Sequence, residues 1–485
     1  MPDYTPTIGL EVHAELKTRT KMFCDSLNDP DEKHPNVNVC PVCMGHPGTL
    51  PTPNKKAIEH VIKVGLATGG KPNPVSKFDR KNYFYPDLPK AYQISQSGQP
   101  LVIGGELRGV KINHIHLEED AGKLMHDDAS GATLVDYNRA SVPLMELVTE
   151  PDIHSAEDAV AFMKELQLTL RYLGVSDADL ERGQMRADAN ISISADGTLG
   201  TRAEVKNLNS FNSVFQAINF EIKRQTELLE KGEKVKQETR GWDDAKQKTT
   251  SQRSKEEAQD YRYFPEPDIP PFETSVFEPE KLRAMLPELP KQKRKRFMKE
   301  YGLDEKQTEL LVGEPAMANY FEAAVSELKE TLADVKGGAP SASDDKAGVA
   351  TLYNYLTSDL RGLINQSGAK FEDIKIDPEH LAHLAALIEQ KKITSRQAKD
   401  MLAKMFETGA DPEEIMKSEN IGITSDEGEV EAVVLAVIAE NQAAVADFKK
   451  GKTASLQFLI GKAMAKLKGK ARPDMLKDLL ERNLA

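Results

Sequence analysis

The chain has 485 residues, about three times the length of an average domain, so a single small binding module is excluded. Lys and Arg number 64 and Asp and Glu 77, which gives a net charge of −13. With 39% hydrophobic and 29% charged residues, the composition is that of a soluble globular protein and excludes a disordered or membrane chain. The acidic total argues against a uniformly basic coat for polynucleotides, although one basic face remains compatible with it.

No segment approaches the roughly 18 consecutive apolar residues of a membrane helix. The first residues lack the basic and then apolar pattern of a signal peptide. The three cysteines all precede residue 44, and their odd number favours a reducing compartment over a disulfide framework. We therefore expect a cytoplasmic protein without a membrane partner.

Strand-like segments dominate the first third of the chain, and amphipathic helices dominate the last third. Capping residues and terminal glycines predict core-covering helices within 155–174 and 210–232. The polar segment 234–259 has almost no aliphatic residues and is predicted to be a loop, followed by an aromatic, proline-rich segment at 261–271 that cannot be helical. The Gly, Ser and Pro residues of 337–343 predict a surface loop.

The opening strand alternates strictly, so that Glu11, His13 and Glu15 share one face and apolar residues the other. For one strand alone, a solvated outer face is the simplest explanation. Segment 112–123 repeats the pattern, with His114, His116, Glu118 and Asp120 on one face and Glu119 on the other. Three consecutive acids repel one another unless a cation lies nearby.

Asp196 and Gly197 predict a hairpin between two further polar strands. A three-residue loop with Gly197 in the left-handed conformation gives the pairs Asp188–Lys206, Asn190–Glu204 and Ser192–Arg202. This face is either a solvent-exposed hairpin with cross-strand ion pairs or the wall of a cleft for a charged substrate.

Segment 135–152 supplies Glu146 and Glu150 beside Arg139. Acids together with His13 suit Mg²⁺ with a bound nucleotide, and nearby Lys or Arg would hold phosphate.

The common nucleotide fingerprints are absent from the sequence, since Pro72 replaces the Ser or Thr of a phosphate loop. Glycines 65–70 are instead predicted to end a helix. No spacing supports a nucleophilic catalyst.

Cys24, Cys40 and Cys43 are candidate zinc ligands, but a tetrahedral site needs a fourth, which His34, His46 or Asp25 would have to supply.

Much later in the chain, residues 449–472 contain eight basic residues and no acid. Such a segment is typical of a polyanion-binding surface, here for structured RNA recognised by shape, with a solvated helix face as the alternative.

Five motifs in the same order, at residues 8–13, 79–90, 116–123, 135–152 and 202–211, resemble the B subunits of glutamyl/aspartyl-tRNA amidotransferases. The resemblance extends along the whole chain. It implies an α+β protein with an antiparallel-sheet cradle domain (1–292), an all-α helical domain (293–407) and a small helical tail domain (408–485) that binds tRNA.

The resemblance also implies a reaction. A B subunit of this family uses ATP and Mg²⁺ to phosphorylate the side-chain carboxylate of mischarged Glu-tRNA(Gln) or Asp-tRNA(Asn). Ammonia that the A subunit releases from glutamine then displaces the phosphate. The implied partners are the A and C subunits of a heterotrimer and the mischarged tRNA.

The motifs transfer candidate roles to residues of this chain. The catalytic candidates are Glu11, His13, Glu119, Glu146 and Glu150. The candidate Mg²⁺ ligands are Glu11, His13, Glu118, Glu119, Asp120 and Glu146. Candidates for phosphate and acceptor-end contacts are Lys81, Lys123, Arg139, Arg186 and Lys206. Zinc is in doubt, because Asp25 and Ser26 stand where the family pattern has a second cysteine after Cys24.

Two other functions compete with this hypothesis. A noncatalytic tRNA-binding scaffold would keep the fold but would not need acids that face one another. A free-standing ATP-dependent ligase for small acids would not need the basic tail. The choice between glutamyl-tRNA and aspartyl-tRNA is left open by the sequence.

Overall fold

A computed structural model describes residues 4–127, 129–254, 260–336, 342–419, 421–422, 427–449, 452–467 and 470–484. The chain divides into two compact units, Met1–Gln292 and Lys293–Ala485. The first unit contains the sheet and the second is helical, so the predicted α+β class is confirmed. Within the described ranges, every helix is too short or too polar to traverse a lipid bilayer.

The strands all belong to the first unit. They are β1 (Thr5–Glu15), β2 (Lys71–Pro72), β3 (Val75–Ser76), β4 (Asp79–Asn82), β5 (Tyr92–Ser95), β6 (Val102–Ile103), β7 (Glu106–Leu107), β8 (Val110–Glu119), β9 (Lys123–Asp127), β10 (Ala132–Asp136), β11 (Pro143–Thr149), β12 (Met185–Ser194), β13 (Ala203–Leu208), β14 (Glu238–Asp243), β15 (Lys248–Ser254), β16 (Phe264–Pro265) and β17 (Phe272–Glu273).

The helices follow the sheet for the most part. They are α1 (Lys55–Ala67), α2 (Ala156–Tyr172), α3 (Phe211–Glu230), α4 (Pro279–Ala284), α5 (Pro290–Tyr301), α6 (Glu305–Val312), α7 (Pro315–Lys336), α8 (Ala342–Asn354), α9 (Arg361–Ser367), α10 (Pro378–Glu389), α11 (Ser395–Thr408), α12 (Pro412–Ser418), α13 (Glu427–Glu440), α14 (Gln442–Lys449), α15 (Thr453–Lys466) and α16 (Pro473–Leu484). Tyr355–Leu360 forms a π-helical stretch, and Thr274–Phe277 and Phe371–Asp373 are 3₁₀ turns.

The main sheet has the strand order β15-β14-β13-β12-β1-β11-β8-β6-β2. Its ladders are antiparallel except for β13 with β14. One face of the sheet is apolar, and Ile8, Leu10 and Val12 of β1 are buried there in one core with residues of α1, α2 and α3. The strict alternation of β1 thus leaves the opposite face free for polar groups.

The predicted helix ends are confirmed. Ser155 caps α2 by accepting a hydrogen bond from the backbone N–H of Asp158, and Ser210 caps α3 in the same way. Gly69 ends the first helical segment with φ of 76°, a conformation that glycine adopts at little cost. The glycines at 65–70 therefore end a helix, as the sequence predicted.

The prediction of a loop over 234–259 is wrong for half of the segment, because β14 and β15 lie there and extend the sheet. Their buried side chains are Thr239, Trp242 and Thr249, which fill the inward positions without aliphatic residues. Polar strands of this kind carry no strong alternation signal. Residues 255–259 lie outside the described ranges, and 261–271 is non-helical, as predicted.

The predicted hairpin register is confirmed, since Asn190 lies opposite Glu204 and the Lys206 Nζ is 2.5 Å from the Asp188 Oδ2. Gly197 has φ of 75° as expected. The three-residue loop is wrong, because β12 ends at Ser194 and β13 begins at Ala203. The predicted Ser192–Arg202 pair therefore lies beyond the ladder.

In the second unit, apolar residues of α13, α15 and α16 share a small core, which includes Val434, Leu459 and Leu480. Residues 337–341 of the predicted surface loop lie outside the described residues, and α8 begins at Ala342.

Candidate active site

Five polar side chains from three neighbouring strands meet on the polar face of the sheet. The register places His13 of β1 opposite Glu146 of β11, and Glu146 opposite His116 of β8. Glu11 and Glu118 come from the same face of β1 and β8. We call these five residues the histidine–glutamate cluster.

The contacts within the cluster converge on Glu146. Its Oε2 lies 3.1 Å from the Nε2 of His13 and 3.3 Å from the Nε2 of His116. The His13 Nε2 is also 3.7 Å from carboxylate oxygens of Glu11 and Glu118. Two triads, Glu11–His13–Glu146 and His116–Glu118–Glu146, each have ligand atoms within 4.8 Å of one another. Glu146 is common to both.

Burial and mutual charge shift the pKa values of the cluster. Burial and the charge of Glu146 raise the pKa of Glu11 to about 7. Burial opposes the charged form of His116, but the charges and hydrogen bonds of Glu146 and Glu118 together outweigh it and raise the pKa of His116 to about 10. The same balance raises the pKa of His13, and the two imidazoles lower the pKa of Glu146 well below its usual value. The imidazoles of His13 and His116 are thus the closest partners that the acids of the cluster have on these three strands.

A cavity of about 390 Å³ opens above the cluster. Glu11, His116, Glu118 and Glu146 line one wall, and the cations that line it are Lys81, Arg202 and Lys206. Burial would lower the pKa of Lys81, but the charges of Glu118 and Glu146, together with neighbouring tyrosines, outweigh it and raise that pKa. The cavity thus combines acids and cations at one surface, as an anionic substrate with a metal ion would require.

Asp120, Arg139 and Arg186 form a group beside the cluster. Asp120 is 3.4 Å from the Nη2 of Arg186 and 3.5 Å from the Nε of Arg139. Arg186 lies opposite His13 in the sheet. Burial opposes the ionised form of Asp120, but the two guanidinium groups outweigh it and lower its pKa.

Three predicted site residues lie away from the cluster, the cavity lining and the group around Asp120. Glu119 points to the other side of β8, where its carboxylate accepts a hydrogen bond from the Ile94 N–H and pairs with Lys90 at 2.5 Å. Glu150 follows a register shift at Val148/Thr149 and accepts a hydrogen bond from the Asn113 amide at 2.6 Å. Lys123 is exposed on the β9–β10 hairpin.

The sequence places His116 on the correct face, but the predicted site residues do not include it. They also omit Arg202, Tyr261 and Tyr263, which line the cavity. The alternation of β8 could have identified His116, because it lies two residues from Glu118. The tyrosines come from a distant segment, and no local pattern points to them.

The three cysteines lie together, with sulfur atoms within 4.8 Å of one another. The Cys43 Sγ is 3.9 Å from the Ser26 Oγ and 3.9 Å from the Nζ of the fully buried Lys21. The hydrogen bond from Cys24 lowers the pKa of Cys43 to about 5. Three of the four ligands of a structural zinc site are thus present, but the described residues supply no fourth thiolate.

Comparison with known proteins identifies the family. Residues 6–277 match the model of the GatB/GatE catalytic domain, and residues 340–484 match that of the GatB domain. The B subunit of the aspartyl/glutamyl-tRNA(Asn/Gln) amidotransferase from Thermus thermophilus is 45% identical over 98% of both chains. The B subunits of the same name from Caldicellulosiruptor saccharolyticus and Dehalococcoides mccartyi are each 44% identical, over at least 99% of both chains. The chain belongs to the GatB/GatE family.

Membership of the GatB/GatE family confirms the resemblance that the five motifs indicated, and with it the prediction of an amidotransferase B subunit. The histidine–glutamate cluster, the cations above it and the group around Asp120 all fall within the region that matches the catalytic domain.

Proposed function

We propose that this chain, as the B subunit of a tRNA-dependent amidotransferase, phosphorylates the side-chain carboxylate of mischarged Glu-tRNA(Gln), Asp-tRNA(Asn) or both. The phosphoryl group comes from ATP, and ammonia from glutamine, released by the A subunit, then replaces it. The observation that carries the proposal is the histidine–glutamate cluster beneath a cavity lined by Lys81, Arg202 and Lys206.

The cluster fits a magnesium ion by its chemistry. Its carboxylate oxygens are the ligands that Mg²⁺ prefers, and its three acids are closer to one another than their repulsion favours without a cation. The Nδ1 atoms of His13 and His116 are buried and have no hydrogen-bond partner among the described residues, so the polar contacts of both rings are those of their Nε2 atoms with the acids. We propose Glu11, His13, Glu118 and Glu146 as the residues that hold the ion, with His116 beside them. A bound Mg²⁺ would neutralise charge on the transferring phosphoryl group.

The other residues of the cavity bind and orient the substrates. Lys81, Lys206 and Arg202 carry positive charge where phosphate oxygens would lie, and Asp188 and Glu204 hold the Lys206 ammonium within 3.2 Å. A substrate carboxylate oxygen attacks the γ-phosphorus and ADP leaves. Ammonia then attacks the acyl carbon, phosphate leaves, and a carboxylate of the cluster can take the released proton.

Other predicted residues keep narrower roles in the proposal. Arg139 and Arg186 are expected to reach the substrate beside Asp120. Lys123, Glu119 and Glu150 are not placed around the cavity, so we give them no direct contact with ATP. Zinc takes no part in the proposal.

A noncatalytic scaffold is the alternative. It would bind tRNA without turning over ATP, and the excess of acids around His13 would then be a cost to stability without a benefit. The buried acids therefore favour catalysis over the scaffold.

The remaining parts of the proposal concern assembly. We assign 1–292 to a cradle domain that carries the chemistry, 293–407 to a helical domain and 408–485 to a tail domain that binds tRNA. The complete enzyme would be a cytoplasmic heterotrimer with A and C subunits. Three exposed basic residues of the tail, Lys452, Lys462 and Lys466, are the ones we expect to meet phosphates.

The decisive experiment is ATP hydrolysis by the chain assembled with its A and C subunits, with and without Mg²⁺. Mischarged glutamyl-tRNA, mischarged aspartyl-tRNA and uncharged tRNA are compared. Stimulation by a charged species alone would support the phosphorylation step and name the substrate. No stimulation by any of them would leave the scaffold as the better explanation.

The tail assignment has its own test. Replacing Lys452, Lys462 and Lys466 together by Gln should weaken tRNA binding and make its salt dependence shallower, because fewer counterions are released. Lys477→Gln is the control, since Lys477 lies on α16, outside the acid-free segment 449–472. An unchanged salt dependence in the triple variant would refute the assignment.

A further inference from the structure

Aromatic side chains lie exposed beside the candidate active site. Phe84 is 82% exposed, Tyr85 55%, and Tyr263 and Phe264 44% each. With Tyr83 and Tyr261 they form what we call the aromatic rim. Single exposed apolar residues are common on proteins, but a contiguous group of six rings next to a catalytic cavity indicates a binding surface.

The rim is built from two segments that are far apart in sequence. Strand β4 pairs with β16, which places Arg80 opposite Phe264. The Asn82 N–H donates to the Tyr261 carbonyl at 2.9 Å, and the Asn82 amide donates to the Arg262 carbonyl at 2.9 Å. The backbone beneath the rings is therefore held in place before any ligand arrives.

A second cavity, of about 610 Å³, lies on the rim. Its lining residues are Asn82, Tyr83, Phe84, Asp260, Arg262 and Phe264. The ring of Tyr83 lies 5.8 Å from that of Tyr261, and Tyr261 lines the cavity above the histidine–glutamate cluster. The two cavities are thus joined by one ring-to-ring contact.

The charges around the second cavity select among ligands. Arg262 is exposed and makes no ion pair with any described residue, whereas Arg80 is already paired with Glu266 at 2.8 Å. The Lys81 Nζ lies 5.0 Å from the centre of the Tyr261 ring. One acid, Asp260, is also present, and its carboxylate accepts a hydrogen bond from the Arg262 N–H. Rings with free cations beside them are the features that bind single-stranded nucleic acid.

We infer that the aromatic rim binds the terminal adenosine of the tRNA, with the base against Phe84 and the adjoining phosphate near Arg262. This inference rests on the proposed function. The reacting carboxylate belongs to an amino acid esterified to the ribose of that nucleoside, so a carboxylate at the cluster requires the nucleoside to be only a few bonds away. The second cavity meets this requirement because it adjoins the first.

The test is a cycle of binding measurements on the complex assembled with its A and C subunits. Dissociation constants are measured for tRNA with its complete 3′ end and for the same tRNA trimmed of the terminal adenosine, with wild-type chain and with Phe84→Ala. Because stacking of one base contributes about 1–3 kcal/mol, Phe84→Ala should weaken binding of the complete tRNA by about fivefold or more. It should leave binding of the trimmed tRNA unchanged.

Two variants serve as controls. Phe84→Tyr keeps a ring and should bind both tRNAs like the wild type, and Val276→Ala, 63% exposed and outside the lining of both cavities, should also have no effect. Equal weakening of both tRNAs, or no weakening, would overturn the inference. So would failure of the Phe84→Ala chain to assemble with its partner subunits, because the rim would then be a protein interface.

The outcome is separable from that of the proposed function. ATP hydrolysis by the wild-type complex, stimulated by charged tRNA, tests the phosphorylation step without any change to Phe84. If charged tRNA stimulates ATP hydrolysis by the wild-type complex but Phe84→Ala weakens both tRNAs equally or neither, the proposed function holds. Only the role of the aromatic rim is then rejected.

Discussion

Two of the groups of buried charges in the first unit are organised differently. In the histidine–glutamate cluster, three carboxylates share two imidazoles, and the closest contact is 3.1 Å. In the other group, which we call the matched network, Glu221 and Glu238 meet Arg224 and Arg240. There each acid has a guanidinium within 2.5 Å.

The difference shows which group serves stability. Glu221 is fully buried, yet it accepts hydrogen bonds from Arg224, the Gln225 amide and the Thr249 hydroxyl, so its charge is fully compensated. The cluster has more acids than strong cations, and its Nδ1 atoms have no hydrogen-bond partner in the part of the chain that the structure describes. Proteins retain such incompletely compensated acids where these bind a ligand or take part in catalysis.

The largest effect should come from the cluster. His13→Ala removes the group that contacts Glu11, Glu118 and Glu146, and we expect transamidation by the assembled complex to fall by about 10²- to 10⁴-fold. The tRNA dissociation constant should stay nearly unchanged, because the cluster meets only the acceptor end. His34→Ala is the control, since His34 is exposed and pairs only with Glu32 among the described residues. A loss of tRNA affinity as large as the loss of activity would contradict a catalytic role for the cluster.

A substitution in the matched network should lower the stability of the protein and leave its activity intact. Glu221→Gln leaves two guanidinium groups without their buried acid, and we expect the free energy of unfolding to fall by about 3–5 kcal/mol. The folded variant should retain its activity per molecule. Urea unfolding is followed by the fluorescence of Trp242, the single tryptophan, which lies on β14 beside the network. Glu227→Gln on the same helix is the matched control, because its pair with Lys223 is exposed. Equal stability of the two variants would contradict the assignment.

A smaller effect should come from a histidine that has no acid beside it. His60 is buried on α1, and burial lowers its pKa to about 4, whereas acids raise the pKa values of His13 and His116. The unfolded chain takes up a proton near pH 6.5, where the folded chain does not. The free energy of unfolding should therefore fall by about 2 kcal/mol from this group as the pH drops from 7 to 5.

His60→Gln isolates that contribution. The variant should lose part of the pH dependence of unfolding, measured again by Trp242 fluorescence in the full chain. Parallel pH profiles for the two proteins would show that His60 is not kept neutral by burial.

The part of the site that could be predicted is the part governed by strand alternation. Glu11 and His13 share a face of β1 because they lie two residues apart, and the same rule separates Glu118 from Glu119. The motif that suggests Glu119 as a metal ligand conflicts with this alternation, and the structure follows the alternation. The rule also fails at Glu150, because the shift at Val148/Thr149 is a backbone irregularity that the residue types do not reveal.

The fold shows the same division between local and long-range information. The limits of α2 and α3 follow from Ser155 and Ser210, whose capping role depends only on neighbouring residues. The residues of β14 do not by themselves predict a strand, because its place in the sheet depends on pairing in parallel with β13. The aromatic segment at Tyr261 could be recognised as non-helical, but its position beside β4 depends on contacts across about 180 residues.

The position of β1 has a consequence for synthesis. β1 leaves the ribosome well before both of its neighbours in the sheet, because β11 and β12 begin only at Pro143 and Met185. At typical elongation rates, roughly 6 to 26 seconds pass before β11 begins to emerge, and Ile8, Leu10 and Val12 have no sheet to join in that time. The nascent chain thus carries an unpaired hydrophobic strand, which is the kind of segment that chaperones bind, and the histidine–glutamate cluster cannot form until β11 has been made.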